Sequence, residues 1–369
     1  MSPTAQKSTN DLSVLVGMSG GVDSSVAALL LQGAGYRVVG VTLRLWDEPG
    51  AAGERSCCSS EAVQRAKAVA DSLGIAHLTV DARDRFRPRV VDYFVDEYAK
   101  GRTPNPCMKC NSRVRFGFMG DLAARLGLSR VATGHYARLT GEPARLSRGA
   151  DPAKDQSYVL AEVPPELLQN VLFPLGGLTK PRVRALAAEA GLPGASHPES
   201  QEICFVPDDD HRGFLRERLG DRPGVIVGTD GQERGTHEGT YNFTIGQRRG
   251  LRVAGGSPSY VVALDAVRGR VVIGEHSGLA VGAVRIADVV CHRPLTGSQS
   301  VMQFRSAGRP VPGRVIDDTT IVLDAPAIGI APGQTVVIYE GQNVIAAGTI
   351  QETAGWEARG GIVSAFSQG

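Results

Sequence analysis

The chain changes its pattern near Gly224, and this change constrains the fold more than any other feature. Before it, short apolar runs at 14–16, 37–45, 77–80 and 130–133 alternate with helical patterns at 24–34, 62–73 and 90–98. Alternation of strands and helices predicts a parallel sheet covered by helices on both faces.

After Gly224 the helical periodicity disappears and glycine becomes frequent. Short Val/Ile-rich runs recur at 225–227, 260–264, 271–273, 320–323 and 335–339. This pattern predicts one or two small antiparallel barrels or sandwiches. We therefore predict an α/β chain of 369 residues with a Rossmann-like parallel-sheet domain over 11–207, a small β-rich domain over 208–280 and a C-terminal β-barrel over 281–369.

Composition excludes several classes of protein. With 42% hydrophobic and 21% charged residues, the chain is expected to fold rather than to be disordered. The longest apolar stretch, 26–31, is too short to cross a membrane, and residues 1–10 lack the apolar core of a secretory signal. We expect a cytoplasmic protein with no membrane partner. A net charge of +2 does not by itself indicate nucleic-acid binding.

A glycine-rich turn lies between the first strand and the first helix. It consists of Gly17, Met18, Ser19, Gly20, Gly21, Val22, Asp23 and Ser24. Backbone N–H groups of such a turn converge on an anion, and the helix start adds partial positive charge. The hydroxyls of Ser19, Ser24 and Ser25 are expected to donate to phosphate oxygens. Neither G-x-x-x-x-G-K-[ST] nor G-x-G-x-x-G fits this turn.

The six cysteines do not suggest a secreted disulfide scaffold in a chain this long, and they favour metal binding or sulfur chemistry. Pro104 and Pro106 predict an extended loop before Cys110, with a helix beginning near Asn111. A thiol at a helix start is ionised more easily. Taken alone, Cys204, Cys291 and the Cys57–Cys58 pair are interpreted as packing residues.

Seven motifs in order resemble the tRNA-specific 2-thiouridylase family. They are S-G-G-V-D-S at 19–24, which is similar to the PP-motif of ATP pyrophosphatases, P-N-P-x-x-x-C-N at 104–111, A-T-G-H at 132–135, K-D-Q-S-Y at 154–158, S-x-x-I-C-F at 200–205, Y-N-F-T-I-G-Q-R-R-G-L at 241–251 and A-P-G-Q at 331–334. The resemblance covers nearly the whole chain, from Ser13 to Gly348.

This resemblance implies an enzyme that uses ATP and Mg²⁺ to adenylate the C2 oxygen of a wobble uridine, and then replaces that oxygen with sulfur. The loop 17–24 would hold ATP, with Leu43 at the adenine and Gly134 at the nucleotide. Cys110 would be the nucleophile, and Cys204 would carry the transferable sulfur as a persulfide. Asp23 would organise Mg²⁺ or the phosphates.

The resemblance also implies partners: the anticodon stem-loop of tRNA, and a sulfur relay from a cysteine desulfurase, but no DNA. The tRNA contacts it implies are Asn105, Pro106, Cys107, His135, Lys154, Asp155, Gln156, Arg305, Ser306 and Gln334. We also expect Arg248 and Arg249 to contact phosphates, so that added salt weakens tRNA binding.

One departure from the family pattern keeps two sulfur routes open. Many members have Asp where this chain has Cys107, so the acid–base role of that position is in doubt. Cys107 and Cys110 would be able to form a disulfide that competes with a Cys110–Cys204 bridge. Alternatively, Cys107, Cys110 and Cys204 would hold three irons of a [4Fe–4S] cluster. A structural zinc lacks an evident fourth ligand.

Two rival functions also follow from the loop alone. The first is a PP-loop enzyme that adenylates a small molecule, which would not need paired cysteines. The second is a protein that binds nucleotide or tRNA without catalysis, which would release no pyrophosphate.

Overall fold

The structure is a computed structural model that describes residues 12–46, 60–194, 203–251, 253, 258–295 and 300–357. Its first half contains β1 (Ser13–Gly17), α1 (Val22–Gly33), β2 (Arg37–Arg44), α2 (Ser60–Leu73), β3 (Ala76–Asp81), α3 (Arg83–Phe86), α4 (Asp92–Ala99), α5 (Pro106–Cys110), α6 (Phe116–Arg125), β4 (Arg130–Ala132), β5 (Ala137–Thr140), β6 (Arg145–Arg148), α7 (Ser157–Leu160), α8 (Pro165–Leu168), β7 (Val171–Leu172) and α9 (Lys180–Glu189). Single π-helical turns at Arg87–Val91 and Asn111–Arg115 precede α4 and α6.

The second half consists mostly of strands. It contains α10 (His211–Leu219), β8 (Gly224–Gly228), β9 (Glu233–His237), β10 (Tyr260–Asp265), β11 (Arg270–Gly274), β12 (Ala280–Cys291), β13 (Ser300–Gln303), β14 (Val311–Val315), β15 (Thr320–Ile328), β16 (Thr335–Glu340) and β17 (Asn343–Gly355). Short 3₁₀ turns lie at Pro207–Asp209, Thr240–Asn242 and His276–Leu279.

The chain folds into two compact units, each built from separate stretches of sequence. The parallel-sheet unit comprises the described residues up to Phe86, Ser112–Ser157 and the described part of Pro165–Phe205. The barrel unit comprises Arg87–Asn111, Tyr158–Pro164 and the described residues from Val206 onward. The predicted division into three domains, at 207/208 and 280/281, remains a prediction.

The parallel-sheet unit contains a five-stranded sheet in the order β3-β2-β1-β4-β7, with every pair parallel. The strand order reverses direction at β1, which pairs with β2 on one side and with β4 on the other. Ligands of open parallel sheets bind at such a switch point, beyond the carboxyl ends of the strands. The fold therefore places the ends of β1 and β4 at the expected binding position.

Helices cover this sheet by burying apolar side chains. One core cluster joins Val14 and Val16 of β1 to Ala28 and Leu31 of α1 and to residues of α2. A second joins Val26 and Ala27 of α1 to Val183 and Ala187 of α9. Because parallel strands are buried on both faces, β1 has the continuous apolar sequence from which it was predicted.

The barrel unit contains a four-stranded sheet in the order β10-β11-β8-β9. Its apolar core includes Ile226, Phe243, Val261 and Val271. The β8–β11 pair is parallel, whereas the sequence had suggested antiparallel strands throughout this half. The difference arises because the chain between these strands makes a hairpin, β8–β9, and a second hairpin, β10–β11, whose inner strands run the same way.

The remaining six strands close into an antiparallel barrel. The order is β12-β15-β14-β13-β16-β17, and β17 pairs back onto β12 from Val281–Gly355 to Cys291–Ala346. Closure leaves no strand edge between these two elements. The predicted fold class, a Rossmann-like parallel sheet followed by β-rich barrel-like parts, is confirmed.

In the part of the chain that the structure describes, no helix is long and apolar enough to cross a membrane.

Candidate active site

The glycine turn after β1 is held by its own hydroxyls. Ser24 Oγ and Ser25 Oγ donate to the carbonyl oxygen of Gly21 at 3.0 and 2.9 Å, and the Ser19 backbone N–H donates to Ser24 Oγ at 3.2 Å. Gly20 has φ +73°, and a Cβ there would lie 2.4 Å from the Ala62 carbonyl oxygen. This position therefore requires glycine. In this structure, two of the three predicted hydroxyl donors are turned toward the loop itself.

The end of β4 contacts the start of α1. A Cβ at Gly134 would lie 2.8 Å from both the Asp23 carbonyl carbon and the Ser24 nitrogen. Gly134 thus permits a close backbone approach at the switch point, where it was predicted to contact the nucleotide. Leu43, predicted at the adenine, lies half-buried in β2.

A lysine that the sequence analysis missed is paired with the loop. Lys180, the first residue of α9, places its Nζ 2.8 and 2.9 Å from the two carboxylate oxygens of Asp23. The Tyr136 hydroxyl donates to Asp23 Oδ1 at 2.7 Å. The Lys180 side chain is 9% exposed and that of Asp23 is 32% exposed. A carboxylate and an ammonium group therefore lie together beside the glycine turn.

A second layer supports the turn from β2 and β3. Thr42 Oγ1 donates to the Met18 carbonyl oxygen at 2.7 Å, which uses its only proton. The same oxygen lies 2.9 Å from His77 Nε2, so this ring nitrogen must carry the proton and donate. Burial lowers the pKa of His77, and the Asp71 charge partly opposes this effect. His77 therefore supports the loop as a neutral imidazole.

His135 directly follows Gly134 and is enclosed by aromatic rings. Its Nδ1 lies 2.7 Å from Thr133 Oγ1, and the rings of Phe116 and Phe173 lie 6.1 and 6.0 Å from its own. Burial, with a smaller contribution from the Arg115 charge, lowers the pKa of His135 to about 3. The imidazole is therefore neutral near pH 7, where it acts through hydrogen bonds and ring contacts rather than as a cation.

Two of the residues predicted to contact tRNA make hydrogen bonds within the parallel-sheet unit. The Asp155 carboxylate accepts from the backbone N–H groups of Gly149 and Ser157 at 2.9 and 3.0 Å and from Arg148 at 2.9 Å. Gln156 Oε1 accepts from the Tyr136 N–H at 2.9 Å, which helps to place the tyrosine that contacts Asp23. Lys154, half-buried, precedes them.

The segment that contains Cys107 and Cys110, in the barrel unit, folds differently from the prediction. The helix begins at Pro106, not near Asn111, because Asn105 Oδ1 accepts from the N–H groups of Cys107 and Met108 at 3.1 and 3.3 Å. Cys110 is therefore the last residue of α5, followed by a π turn, and it is 6% exposed. The expectation that Cys110 lies at a helix start was wrong, and Cys107, which is exposed, lies there instead.

The other cysteines differ in their surroundings. Cys204 is half-buried in the parallel-sheet unit, directly before Phe205, whose ring packs edge-on against Trp46 and Phe86. Cys291 ends β12 and is exposed, so its interpretation as a core residue was wrong. The Cys57–Cys58 pair lies outside the described residues.

The C-terminal candidates lie on turns of the barrel. Arg305 and Ser306 are exposed, and Gln303 Nε2 donates to both of their carbonyl oxygens, at 3.0 and 2.8 Å. Gln334 Oε1 accepts from the Ala331 N–H at 3.0 Å and thereby closes the A-P-G-Q turn.

The donor sets for metals differ between the loop and the cysteines. Asp23, with its partly exposed carboxylate in the glycine turn, fits the oxygen ligation that Mg²⁺ prefers. Within the described ranges, no group of three or more His, Cys, Asp or Glu side chains is arranged to hold a metal ion.

A glycine turn between a strand and a helix, at the switch point of a parallel sheet and with a lysine–carboxylate pair beside it, defines a nucleotide-binding enzyme. In agreement, a family profile described as "tRNA methyl transferase HUP domain" matches residues 12–208. Profiles described as "tRNA methyl transferase PRC-barrel domain" and "Aminomethyltransferase beta-barrel domain" match residues 212–275 and 287–350.

Two relatives are close enough to identify the family. The tRNA-specific 2-thiouridylase MnmA of Heliobacterium modesticaldum is 45% identical over 354 residues, which cover 91% of this chain and 92% of the relative. The protein of the same name from Rhizorhabdus wittichii is 45% identical over 355 residues, 92% of each chain. This chain belongs to the tRNA-specific 2-thiouridylase family, whose members are sulfurtransferases.

A solved structure of a 4-thiouridine synthetase–RNA complex with bound ATP is 17% identical and covers 56% of this chain and 50% of its own, with a TM-score of 0.35. A likeness at this level carries no argument about the present chain.

Proposed function

We propose that this chain converts the wobble uridine of tRNA to 2-thiouridine, with ATP as the activating substrate and a cysteine persulfide as the sulfur source. The observation that supports this most directly is the glycine turn of residues 17–24 at the switch point of the sheet, in a chain whose relatives are 2-thiouridylases. A turn of this kind binds the phosphates of ATP without the lysine of a Walker loop.

The first step activates a poor leaving group. The C2 oxygen of uracil attacks the α-phosphorus of ATP, the bond to the β-phosphate oxygen breaks, and pyrophosphate leaves. The start of α1 and the backbone N–H groups of the turn stabilise the negative charge on the departing phosphates. The product is an O2-adenylated uridine, from which AMP departs easily.

Asp23 and Lys180 would both stabilise the negative charge of the ATP phosphates, Asp23 through Mg²⁺ and Lys180 directly. Mg²⁺, held through the Asp23 carboxylate and the ATP phosphates, would neutralise charge on the pyrophosphate. Lys180 holds both oxygens of Asp23 in place, beside the turn at which the ATP phosphates are proposed to bind. Lys180 is thus proposed as a phosphate-site residue.

The second step brings in sulfur. The terminal sulfur of a Cys204 persulfide attacks C2 and AMP leaves, and the Cys110 thiolate then attacks the inner sulfur to give a Cys110–Cys204 disulfide and the thiocarbonyl. In the variant route, Cys110 attacks the persulfide first and hydrosulfide attacks C2. Both routes end with the same disulfide, which an external thiol reductant must reopen before the next turnover.

The sulfur donor and the RNA contacts complete the proposal. The persulfide would come from a cysteine desulfurase through a relay protein. The wobble base would leave the anticodon stack to reach the ATP site, and exposed cations such as Arg248, Arg249 and Arg305 would contact RNA phosphates. His135 and Gln334 are proposed to help recognise the base.

The test is thiolation of an unmodified tRNA transcript with ATP, Mg²⁺ and a persulfide donor, measured as 2-thiouridine by mass spectrometry. Cys110→Ser and Cys204→Ser should each lose at least about 100-fold in thiolation while still releasing pyrophosphate. Cys291→Ser, which alters an exposed cysteine at the end of β12, is the matched control and should behave as wild type.

The rival functions give different results in the same assay. An enzyme acting on a small molecule would keep its activity in Cys110→Ser and would release no pyrophosphate on addition of tRNA. A protein that only binds would bind ATP and tRNA but release no pyrophosphate at all. If the wild-type chain releases no pyrophosphate on addition of tRNA, the proposal is overturned.

A further inference from the structure

The residue before Cys110 is a buried lysine with a complete set of partners. The Lys109 side chain is 3% exposed, and its Nζ lies 2.7 Å from Glu162 Oε2 and 3.2 Å from Thr349 Oγ1. The ammonium group also lies 5.5 Å from the centre of the Tyr93 ring. On the other side, Thr335 Oγ1 donates to Glu162 Oε1 at 2.8 Å.

Such a pair is a poor device for stability alone. Removing an ammonium and a carboxylate from water is costly, and well-packed apolar side chains of the same volume usually stabilise a fold as much or more. A buried pair instead specifies a geometry, because the cost of removing its charges from water is recovered only in the arrangement that makes all of its hydrogen bonds. The Lys109 site therefore specifies an orientation.

The helix that carries Lys109 cannot hold its position by its own hydrogen bonds alone. Helix α5 has five residues, too few to be stable without tertiary contacts. Two hydrogen bonds to backbone carbonyls flank it: the Thr103 N–H donates to the Pro332 carbonyl oxygen at 2.8 Å, and the Asn111 side-chain Nδ2 donates to the Val159 carbonyl oxygen at 3.2 Å. Between these points, the Lys109 side chain ties α5 to the barrel.

The contacts of Lys109 join all three stretches of the barrel unit. Tyr93 belongs to 87–111, Glu162 to 158–164, and Thr335 and Thr349 begin β16 and lie within β17. The barrel strands therefore act directly on the helix that ends in Cys110.

We propose that Lys109 is a positioning residue for Cys110, which it fixes on strands β16 and β17 of the barrel through Glu162 and Thr349. This rests on the proposed role of Cys110 as the nucleophile. The C-terminal barrel then has a second role besides RNA contact, because it sets where the Cys110 sulfur lies. Lys109 is proposed to act only through the position of Cys110.

The experiment removes the charges of Lys109 and Glu162 and keeps the approximate size of both side chains. Lys109→Met combined with Glu162→Gln leaves no uncompensated buried charge, and the side-chain amide carbonyl that replaces the Glu162 carboxylate still accepts from Thr335. Lys100→Met, which changes a 63% exposed lysine paired with Glu97 in the same unit, is the matched control. Three quantities are measured: alkylation of Cys110 and Cys107 by iodoacetamide, mapped by mass spectrometry, tRNA-dependent pyrophosphate release, and thiolation.

In the double variant we expect Cys110 alkylation to rise at least about 10-fold while Cys107 alkylation changes little, because α5 is no longer held with Cys110 inward. Thiolation should fall at least about 10-fold in kcat, with pyrophosphate release and the KM for tRNA within about two-fold of wild type. Lys100→Met should change none of these quantities.

Wild-type alkylation and thiolation in the double variant would overturn the proposal. If the double variant does not fold, Thr349→Val decides the question, since it removes one hydrogen bond of Lys109 and keeps both charges: changes in the same direction support the proposal, and wild-type values refute it. The alkylation measurement does not depend on thiolation. A wild-type chain that forms no 2-thiouridine would therefore refute the proposed function and leave the positioning of Cys110 to be decided by alkylation alone.

Discussion

At the scale of single residues, the proposed phosphate site contains a pair of residues that no local pattern indicates. Lys180 and Asp23 are separated by 157 positions, and only the packing of α9 against α1 brings them together. The sequence marks each residue separately: Asp23 by the glycine turn and Lys180 by a helix start with Pro181 behind it. Their contact is a tertiary fact, so sequence patterns could not predict it.

Replacing Lys180 tests its proposed role at the phosphates. Lys180→Met should lower kcat/KM for ATP by roughly 100-fold, because a positive charge at the departing pyrophosphate is lost. The measurement is tRNA-dependent pyrophosphate release as ATP is varied. Arg182→Met, which alters an exposed pair with Glu189 on the same helix, is the control. An equal effect of the two variants would contradict the assignment.

His135 should make stability depend on pH. Its pKa is lowered to about 3 in the folded chain, compared with about 6.5 for an unperturbed histidine, so the unfolded chain binds a proton more readily between these values. The stability contributed by neutral His135 is therefore complete above about pH 6.5 and is lost as the pH falls, by about 2 kcal/mol at pH 5.

Urea unfolding at pH 7.5 and pH 5 checks this prediction. The wild-type chain should lose more stability on acidification than His135→Gln does, by about 2 kcal/mol. His276→Gln, at an exposed position, should lose as much as the wild type. A His135 proton that titrates between pH 5 and 8 in an NMR experiment would contradict the assignment.

The error at Cys110 also belongs to this scale. Two prolines were interpreted as the mark of an extended loop, but proline is well tolerated in the first turn of a helix. Asn105 before Pro106 is a helix cap, and its side chain accepts two backbone hydrogen bonds. The correct signal was present in the sequence and was outweighed by the density of prolines.

At the scale of elements, the junction between β1 and α1 depends on the backbone freedom of Gly20. A side chain there would have both a positive φ and a contact of 2.4 Å with the Ala62 carbonyl oxygen. Gly20→Ala should destabilise the chain by more than about 1 kcal/mol and reduce pyrophosphate release at least about 100-fold. Thermal unfolding and the release assay give the two quantities.

Gly33, the last residue of the helix α1 that follows the turn, supplies the control. A Cβ at Gly33 would meet no atom within 4 Å, so Gly33→Ala should change stability by less than about 1 kcal/mol, in the stabilising direction, and leave pyrophosphate release unchanged. If Gly20→Ala were tolerated as well as Gly33→Ala, the turn would not have the geometry described.

Elements of the parallel sheet were easier to predict than those of the barrel. The four strands β1 to β4 and the helices α1, α2 and α4 follow clear apolar patterns, and their predicted positions agree with the structure to within a few residues. Strands β12 and β17 were not predicted, although they are the longest strands among the described residues, with 12 and 13 residues. Both are rich in small residues, and register shifts along their pairing interrupt the alternation of buried and exposed positions.

At the scale of the whole molecule, the order of the architecture could be predicted but the composition of its compact units could not. The change near Gly224 correctly separates the parallel sheet from the β-rich half. The stretch 87–111, however, lies within the first half of the sequence and packs in the unit that contains the barrel. Long-range packing determines which unit this stretch joins, so the periodicity within a short window of sequence cannot predict it.

This arrangement divides the proposed chemistry between two bodies. The glycine turn, which is proposed to bind ATP, and Cys204 belong to the parallel-sheet unit, whereas Cys110 belongs to the barrel unit. Adenylation and sulfur transfer are accordingly expected to be separable by mutation.

Oxygen tracing on a tRNA with ¹⁸O at C2 of the wobble uridine tests the central claim most directly. If the C2 oxygen attacks the α-phosphorus of ATP, each 2-thiouridine formed should yield one AMP that carries the label in its phosphate, with none in pyrophosphate. Label in water or in pyrophosphate, with unlabelled AMP, would show that no adenylate forms at C2 and would contradict the account.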